Sequence, residues 1–513
     1  MKPTRSNYDN ENCSLTPLHL INVSQSYGAL LVLHPHNHTV IQASDNLSLF
    51  IGTSGSAALG KNLNALLTPA SAERFQRLLE LKATGEQLPE ELVFERDGDF
   101  FTTRVLLHHT PAGGLLEIEA LESEKEPASF SSLYKDLKQI IAAINMANTL
   151  EEVTYYALRE LKRLTGFDRI MMYRFDEEWN GTVIAEVCKE DMEPYLGLCF
   201  PGSDIPRIAR DLYIRNPYRH IPNRNYEPVK LLPVINPVTH AFTDLSSCNL
   251  RGVAAVHLEY MANMGVMASM STRILYQDRL WGLISCHHDE ARYLSYEELA
   301  VFELLSSIVS TKIVSLQNTT DSAQMMELQQ VQALIMEKLL LSKSLKEGLQ
   351  KEGKNLCSLL QVDGVALIRK NTVFKEGITP NNTQMEELVF WLQLNHTDKT
   401  MSWHKLADAY EPAEDFTDVA SGLISLPIRP EEGEYLLGFR EEQLRHIHWG
   451  GNPEKALNFL EGEETLHPRS SFKSWQQTVQ GTALRWTEPQ LLVAERFRHF
   501  MQDYLLRQSS RKV

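Results

Sequence analysis

A carboxylate is held between two prolines in the run Pro201-Gly202-Ser203-Asp204-Ile205-Pro206. Each proline fixes its own φ and biases the residue before it away from the helical region, so this turn presents Asp204 from a stiffened backbone. Taken alone, it reads equally as a helix entry with Asp as cap. Residues 207–213 follow at helical spacing, which places Ile208, Leu212 and Tyr213 inward and Arg207 and Arg210 outward. Further along, Ser269 and Ser271 alternate with Ala268 and Met270, so both hydroxyls face one side of a strand. Two hydroxyls together with Arg219 and Arg251 suit a ligand that carries carboxylates. Each of these residues is individually compatible with a structural role; their convergence is the signal.

Cys286-His287-His288 offers thiolate and imidazole, both of which bind zinc. Successive strand residues point to opposite faces, however, so the three cannot share one ion and no metal site is expected. His287, on the face of Ser285 and Leu283, projects into a pocket or packs as a satisfied core group. His257 lies in a pattern that fits a helix lining one pocket wall. The six cysteines, at 13, 188, 199, 248, 286 and 357, form no CxxC pair, which argues against a disulfide framework and structural zinc. Five fall in strongly patterned segments where a buried, inert thiol is the default. Cys13 sits in a polar leader, either as a reachable reactive thiol or as an incidental residue of a frayed end. Nucleophilic catalysis would need a base and an orienting acid beside it, and no spacing in the chain supplies them.

These groups must be positioned by several domains, because 513 residues imply three or four. The net charge of -16 argues against a broad nucleic-acid footprint, leaving small molecules or proteins as partners. No uncharged apolar run approaches the ~18 residues that cross a bilayer. The first residues lack an apolar signal region, so a cytoplasmic protein without a membrane segment is expected. β-like runs at 29–33, 39–43, 91–94, 102–107 and 114–119, with a helix near 70–81, make a small α+β module. The charged stretch 122–129 closes it. Helices over 131–164 and strands at 169–175 and 182–187 open a second module.

Prolines at 217, 222, 228, 233 and 237 exclude regular structure from most of that segment, and a loop this long is usually functional. Strands are expected to resume at 264–271 and 280–288. From Ser295 a helical stripe of Leu299, Phe302, Leu305, Val309, Ile313 and Leu316 continues through Leu328, Val331, Ile335 and Leu339. A seam of that length fits a helix that spans two domains and packs against a partner copy. A third α+β module covers roughly residues 356–484 and contains an extension, 435–486, of ambiguous period. Tyr435, Leu437 and Phe439 alternate as a strand, whereas Phe472, Trp475 and Val479 sit at helical spacing. A last helix covers 488–506.

Together the motifs resemble a bacteriophytochrome photosensory core of PAS, GAF and PHY domains, over essentially the whole chain. Residues 200–206 resemble the family's PASDIP segment and 264–271 its MGV-x-x-S-x-S strand. Residues 281–288 resemble its WGL-x-x-CHH run, and 449–472 its WGG and PRxSF tongue motifs. The resemblance implies an α+β chain of three tandem α/β sensory domains with a figure-of-eight knot and a long helical spine. Its parts would be a leader (1–13), a PAS domain (14–121), a GAF domain (131–316), a PHY domain (317–487) with a tongue at 435–486, and an output-linker helix (488–513). The proline-rich 217–250 stretch would be the lasso of the knot.

The resemblance further implies biliverdin IXα, thioether-linked to Cys13, and red/far-red photoswitching by ring-D isomerisation. Asp204 and His257 would hydrogen-bond the pyrrole nitrogens. Arg219 and Arg251 would pair with one propionate, and Ser269 and Ser271 with the other. Tyr173, Tyr195 and Phe200 would pack about ring D, whose carbonyl His287 would bond, with Tyr213, Tyr260 and Ile205 completing the lining. Arg469 would reach from the tongue to Asp204, Ser471 would replace it after illumination, and Phe472, Trp449 and Trp486 would take part in the tongue's change of structure. A parallel homodimer through the spine is implied, with no enzymatic activity in these domains and an output module, a kinase or a cyclase, beyond them. Two departures stand out. Gly202 replaces the usual alanine, which would loosen the turn, and residues 21–28 differ from the family's knot segment. The alternative reading is a GAF/PAS small-ligand module without photochemistry.

Overall fold

In a computed structural model the described residues are 20, 22–80, 89–110, 113–121, 130–342, 344–369, 372–395, 399–453, 457–459, 466–468 and 471–510. They fold as two compact units, residues 1–314 with 448–475 and residues 315–447 with 476–513. Cys13 and Arg469 lie outside the described residues.

The first unit holds two large sheets and a two-stranded pair, Leu457–Phe459 with Leu466–Pro468. In the PAS sheet, strands run in the order Val23–Ser24, Val229–Leu232, Val40–Ser44, Gly28–Leu33, Gly113–Ala120, Asp99–Thr110 and Pro89–Arg96. Ala29, Leu31, Leu33, Val105, Leu116 and Ile118 close its core against the helix Pro69–Glu80. The second strand in that order comes from the proline-rich segment. That segment also contributes Tyr218–Ile221 to the other sheet, so two short strands form where loop was expected. The prolines bracket each strand rather than interrupting it, which leaves the N–H groups needed for pairing.

Residues 22–25 are gripped on both edges. Val23 and Ser24 pair with Lys230 and Val229 on one side. On the other, Gly252 N–H donates to Val23 at 2.9 Å and Gln25 N–H to Leu250 at 2.8 Å. The fully buried Gln25 side chain donates to the carbonyls of His220, Asn249 and Arg251 at 3.1, 3.3 and 3.4 Å. This contact is made by Gln25, a position at which the segment keeps the family's glutamine; residues 1–19 and 21 lie outside the described residues.

The GAF part of an eight-stranded sheet has the order Tyr218–Ile221, Ala268–Tyr276, Arg279–His288, Arg169–Phe175, Gly181–Cys188 and Cys199–Phe200, and Arg445–Gly450 and Ser474–Val479 complete it. The helix Leu150–Thr165 packs on it through Val153, Ala157, Leu158 and Leu161. Thr149 caps that helix by accepting the Glu152 N–H, and Gly166 ends it in the left-handed region at φ 64. The expected strand at 264–271 starts only at Ala268. Residues Ala255–Asn263 are helical, Met264 ends that helix, and Gly265 turns at φ 71.

Ser295 and Glu298 form a reciprocal capping box that starts the helix Tyr296–Leu341. By length and composition this helix could cross a membrane. Its stripe is used within the chain. Leu299, Phe302, Leu305, Val309 and Ile313 are buried in the first unit. Leu328, Ile335 and Leu339 are buried in the second, among Leu349, Leu356, Phe497 and Met501. The seam therefore does not remain for a partner copy, as the periodicity suggested. Exposed apolar residues of the same helix are Leu304, Met326, Leu334, Leu340 and Leu341.

The second unit is a five-stranded antiparallel sheet ordered Thr372–Gly377, Gly364–Arg369, Glu434–Arg440, Gly422–Arg429 and Met401–Trp403. Tyr435, Leu437 and Phe439 belong to its central strand and are fully buried. The extension thus leaves the sheet after Arg440, not at 435. Alternation is uninformative for a strand buried on both faces. Trp475 and Val479 lie on the strand Ser474–Val479 rather than a helix. Trp486 donates its indole N–H to Leu360 at 3.0 Å beneath the Arg440 guanidinium, 3.9 Å from the ring.

Candidate functional site

The carboxylate turn folds as a 3-10 turn, Gly202–Asp204, whose Asp204 N–H bonds to Pro201 at 2.9 Å. A Cβ on residue 202 would stand 3.0 Å from the carbonyl oxygens of both Glu178 and Trp179. Glycine therefore serves close packing of the neighbouring loop rather than looseness. The helix Arg207–Arg215 follows, and Arg210 on it is buried, contrary to the outward placement that spacing suggests. Its guanidinium lies 4.4 Å over Trp179 and donates to the Ile205 carbonyl at 2.6 Å, clamping the turn from below. Arginine can be interior when carbonyls and an aromatic face replace water, and periodicity does not register that.

Tyr260, on the helix Ala255–Asn263, donates to Asp204 Oδ2 at 2.8 Å. His257 lies one turn earlier, its ring stacked on Tyr260 at 9° and 6.2 Å. Across the cleft, strand pairing sets Arg219 opposite Ser271 and Ser269 opposite His287. Tyr213 and Ser271 share a hydrogen bond of 2.5 Å. Ser285 Oγ lies 3.3 Å from His287 Nε2. Tyr173, Tyr195, Phe200 and Phe472 form one buried cluster with Tyr260 packed against it. Phe472 meets Tyr260 edge-on at 5.1 Å, Trp449 pairs in parallel with Cys199, and Gly450 lies against the Phe200 ring. Ile205 is half-buried beside Asp204, and Ser471 is exposed.

The polar residues face an internal cleft. His257 keeps solvent-accessible surface, yet enough protein surrounds it that burial drives its pKa down to about 4. Arg219 behaves likewise: half-buried, with burial lowering its pKa. Arg251 is 7% exposed, and burial together with the Arg219 charge brings its pKa to about 9. Arg219 donates to the carbonyls of Asn249, Arg251 and Gly252 at 3.2, 2.8 and 2.9 Å, and Arg251 to Ser246 at 3.1 Å. Among the described residues no carboxylate lies within ion-pair distance of either. Two neighbouring cations that burial penalises call for an anionic ligand.

Cys286, His287 and His288 do not converge. Cys286 is buried, and His288 turns to Asp168, Nδ1 to Oδ2 at 2.6 Å. Two supporting residues were not visible in the sequence. Arg169 and Glu186 form a buried ion pair at 2.8 Å, with the Arg169 guanidinium 3.8 Å over Tyr195. Pairing across strands brings them together, and no local spacing announces it.

Burial lowers the His220 and His287 pKa values to about 3. An unfolded histidine titrates near 6.5, so below that pH the unfolded chain binds more protons and stability falls with pH. Glu119 acts oppositely: burial raises it to about 7, so its contribution improves on acidification from neutrality. The two histidines together lose about 3 kcal/mol between pH 6.5 and 5 and Glu119 regains roughly half of that, so the pigment-free protein is expected to lose about 1–2 kcal/mol. Melting scans across that range check this; a flat profile would contradict neutral burial of both rings.

Residues 13–121 match the family model described as PAS fold, 149–313 the GAF domain and 328–510 the phytochrome region. Three sensory domains of these kinds in tandem define the photosensory core of a light receptor. A bacteriophytochrome of Xanthomonas campestris is 31% identical over 98% of this chain and 81% of its own. Cyanobacterial phytochrome B of Nostoc is 35% identical over 92% of this chain, which spans 63% of that protein's length. The R. palustris bacteriophytochrome crystal structure superposes with a TM-score of 0.86 at 29% identity, covering 96% of this chain and 99% of that one. The Stigmatella aurantiaca phytochrome photosensory core gives 0.85 at 32%, covering 97% and 98%. The chain belongs to the phytochrome family of photoreceptors.

Proposed function

We propose that this chain is a red/far-red receptor that carries biliverdin IXα as a thioether to Cys13. The observation that supports it most is the pair Arg219 and Arg251, which among the described residues have no carboxylate within ion-pair distance, with Arg219 paired beside Ser271 on the neighbouring strand. The bilin supplies red-light absorption and a ring-D double bond that isomerises.

The chain's own groups hold it. Arg219 and Arg251 bind one propionate, and Ser269 and Ser271 the other. Asp204 and His257 offer polar atoms to the pyrrole nitrogens, and His287 a ring nitrogen to the ring-D carbonyl. Tyr173, Tyr195, Phe200, Tyr213, Tyr260 and Ile205 exclude water around the rings. Phe472 against Tyr260 and Trp449 against Cys199 carry the state of this pocket into the tongue. In the reading we favour, Asp204 exchanges Arg469 for Ser471 on illumination. The tongue then trades strand for helix, aligning Phe472, Trp475 and Val479 and exchanging Trp449 with Trp486. The change passes to the helices Tyr296–Leu341 and Glu488–Ser510 of a parallel cytoplasmic dimer and on to an output module. The exposed Leu304, Met326 and Leu334 fit such a dimer.

Purified protein incubated with biliverdin should turn blue-green and convert reversibly under red and far-red light. A protein that stays colourless overturns this function.

A further inference from the structure

Glu117, on the PAS strand Gly113–Ala120, is 2% exposed and 132 residues from the turn it holds. Its Oε1 accepts the Asn249 N–H and its Oε2 the Leu250 N–H, both at 2.9 Å. His108, across the strand pair and equally buried, bonds to Oε1. A carboxylate that spans two successive backbone N–H groups fixes the orientation of the peptide between them. The other side of this turn faces the cleft. The Asn249 carbonyl accepts Arg219 at 3.2 Å, and the carbonyls of Arg251 and Gly252 accept its second nitrogen. Arg251 leaves the same turn two residues later.

From this juxtaposition we infer that Glu117 is a positioning residue for the carboxylate-binding arginines. Through it, alongside Gln25, whose amide bonds the Asn249 and Arg251 carbonyls of the same turn, the PAS domain sets where Arg219 and Arg251 meet an anionic ligand. The inference rests on the proposed role of those arginines. Burial pushes the Glu117 carboxyl up, but His108 and the two N–H groups together hold it below the usual range, so it remains an anion. That charge keeps the turn in place without touching the ligand. Neither His108 nor Glu117 makes any local motif, and only the fold brings them to residue 249.

Two pigments separate positioning from general support of the fold: biliverdin, with two free carboxylates, and its dimethyl ester, with none. Wild-type protein should assemble faster with the free acid. In Glu117→Gln the amide turns a donor toward one N–H group, and the preference for free acid should shrink about tenfold while the ester rate stays at the wild-type value. Glu117→Asp, which reaches only one of the two N–H groups, should fall between and serves if the first variant does not fold. An equal loss with both pigments, or no loss with either, overturns the inference. Wild-type protein that assembles with neither would instead sink the pigment-binding function itself.

Discussion

Cys13→Ala should still take up biliverdin yet release it on denaturation. The non-covalent groups, two arginines, paired hydroxyls and an aromatic wall, are built by the GAF sheet and its helices and do not depend on the leader. Wild-type protein should retain pigment on a denaturing gel, seen as zinc-induced fluorescence, and the variant should show none. Pigment retained by the variant would assign attachment to another thiol. Burial disfavours most of the alternatives. Cys199, Cys248 and Cys286 are buried, and burial pushes the thiols of Cys248 and Cys286 far above the usual range. Cys357 is raised to about 11 and belongs to the other unit, and Cys188 is half-buried.

Glu186→Ala is expected to be the most damaging single change in the GAF domain. It leaves the Arg169 guanidinium, 3% exposed, without its counter-ion. It also removes the acceptor of the Tyr195 and Leu196 N–H groups, bonded at 2.7 and 2.8 Å. A buried charge stripped of its partner costs about 3–5 kcal/mol. The loop that carries Tyr195 should loosen with it. The double variant Arg169→Leu with Glu186→Leu removes both charges and should be more stable than Glu186→Ala. Thermal denaturation of wild type, Glu186→Ala and the double variant checks this, and a double variant no more stable than Glu186→Ala would show that the unpaired charge has no such cost.

What the sequence made legible was local chemistry. The proline-framed turn at Asp204, the alternating hydroxyls of Ser269 and Ser271, the helix start at Ser295 and most PAS and GAF strands follow from residue types and short spacings. What escaped was set by distant partners. Arg210 reads as outward because helical period counts polarity, while its actual environment is the Trp179 face and two carbonyls. Tyr435 reads as tongue because a strand buried on both faces looks like any alternating run. The strands at 218–221 and 229–232 were hidden by prolines that only bracket them. Glu117 and the Arg169–Glu186 pair have no signature until sheets are assembled.

The grip on residues 22–25 has a consequence for how the polypeptide is made. The Asn22 side chain bonds to the Leu231 carbonyl, 209 residues further along. At about 5–20 residues per second, a ribosome needs roughly 10–40 s to deliver that partner. Through this interval the edge of Val40–Ser44 lacks the strand that will cover it, and Val23 and Ser24 lack their pairing partners. An unpaired edge is a template for pairing with the wrong chain. Slow translation or early arrest between the two segments would therefore expose nascent chains to one another, and yield of intact protein should depend on the tempo of synthesis as much as on the stability of the finished fold.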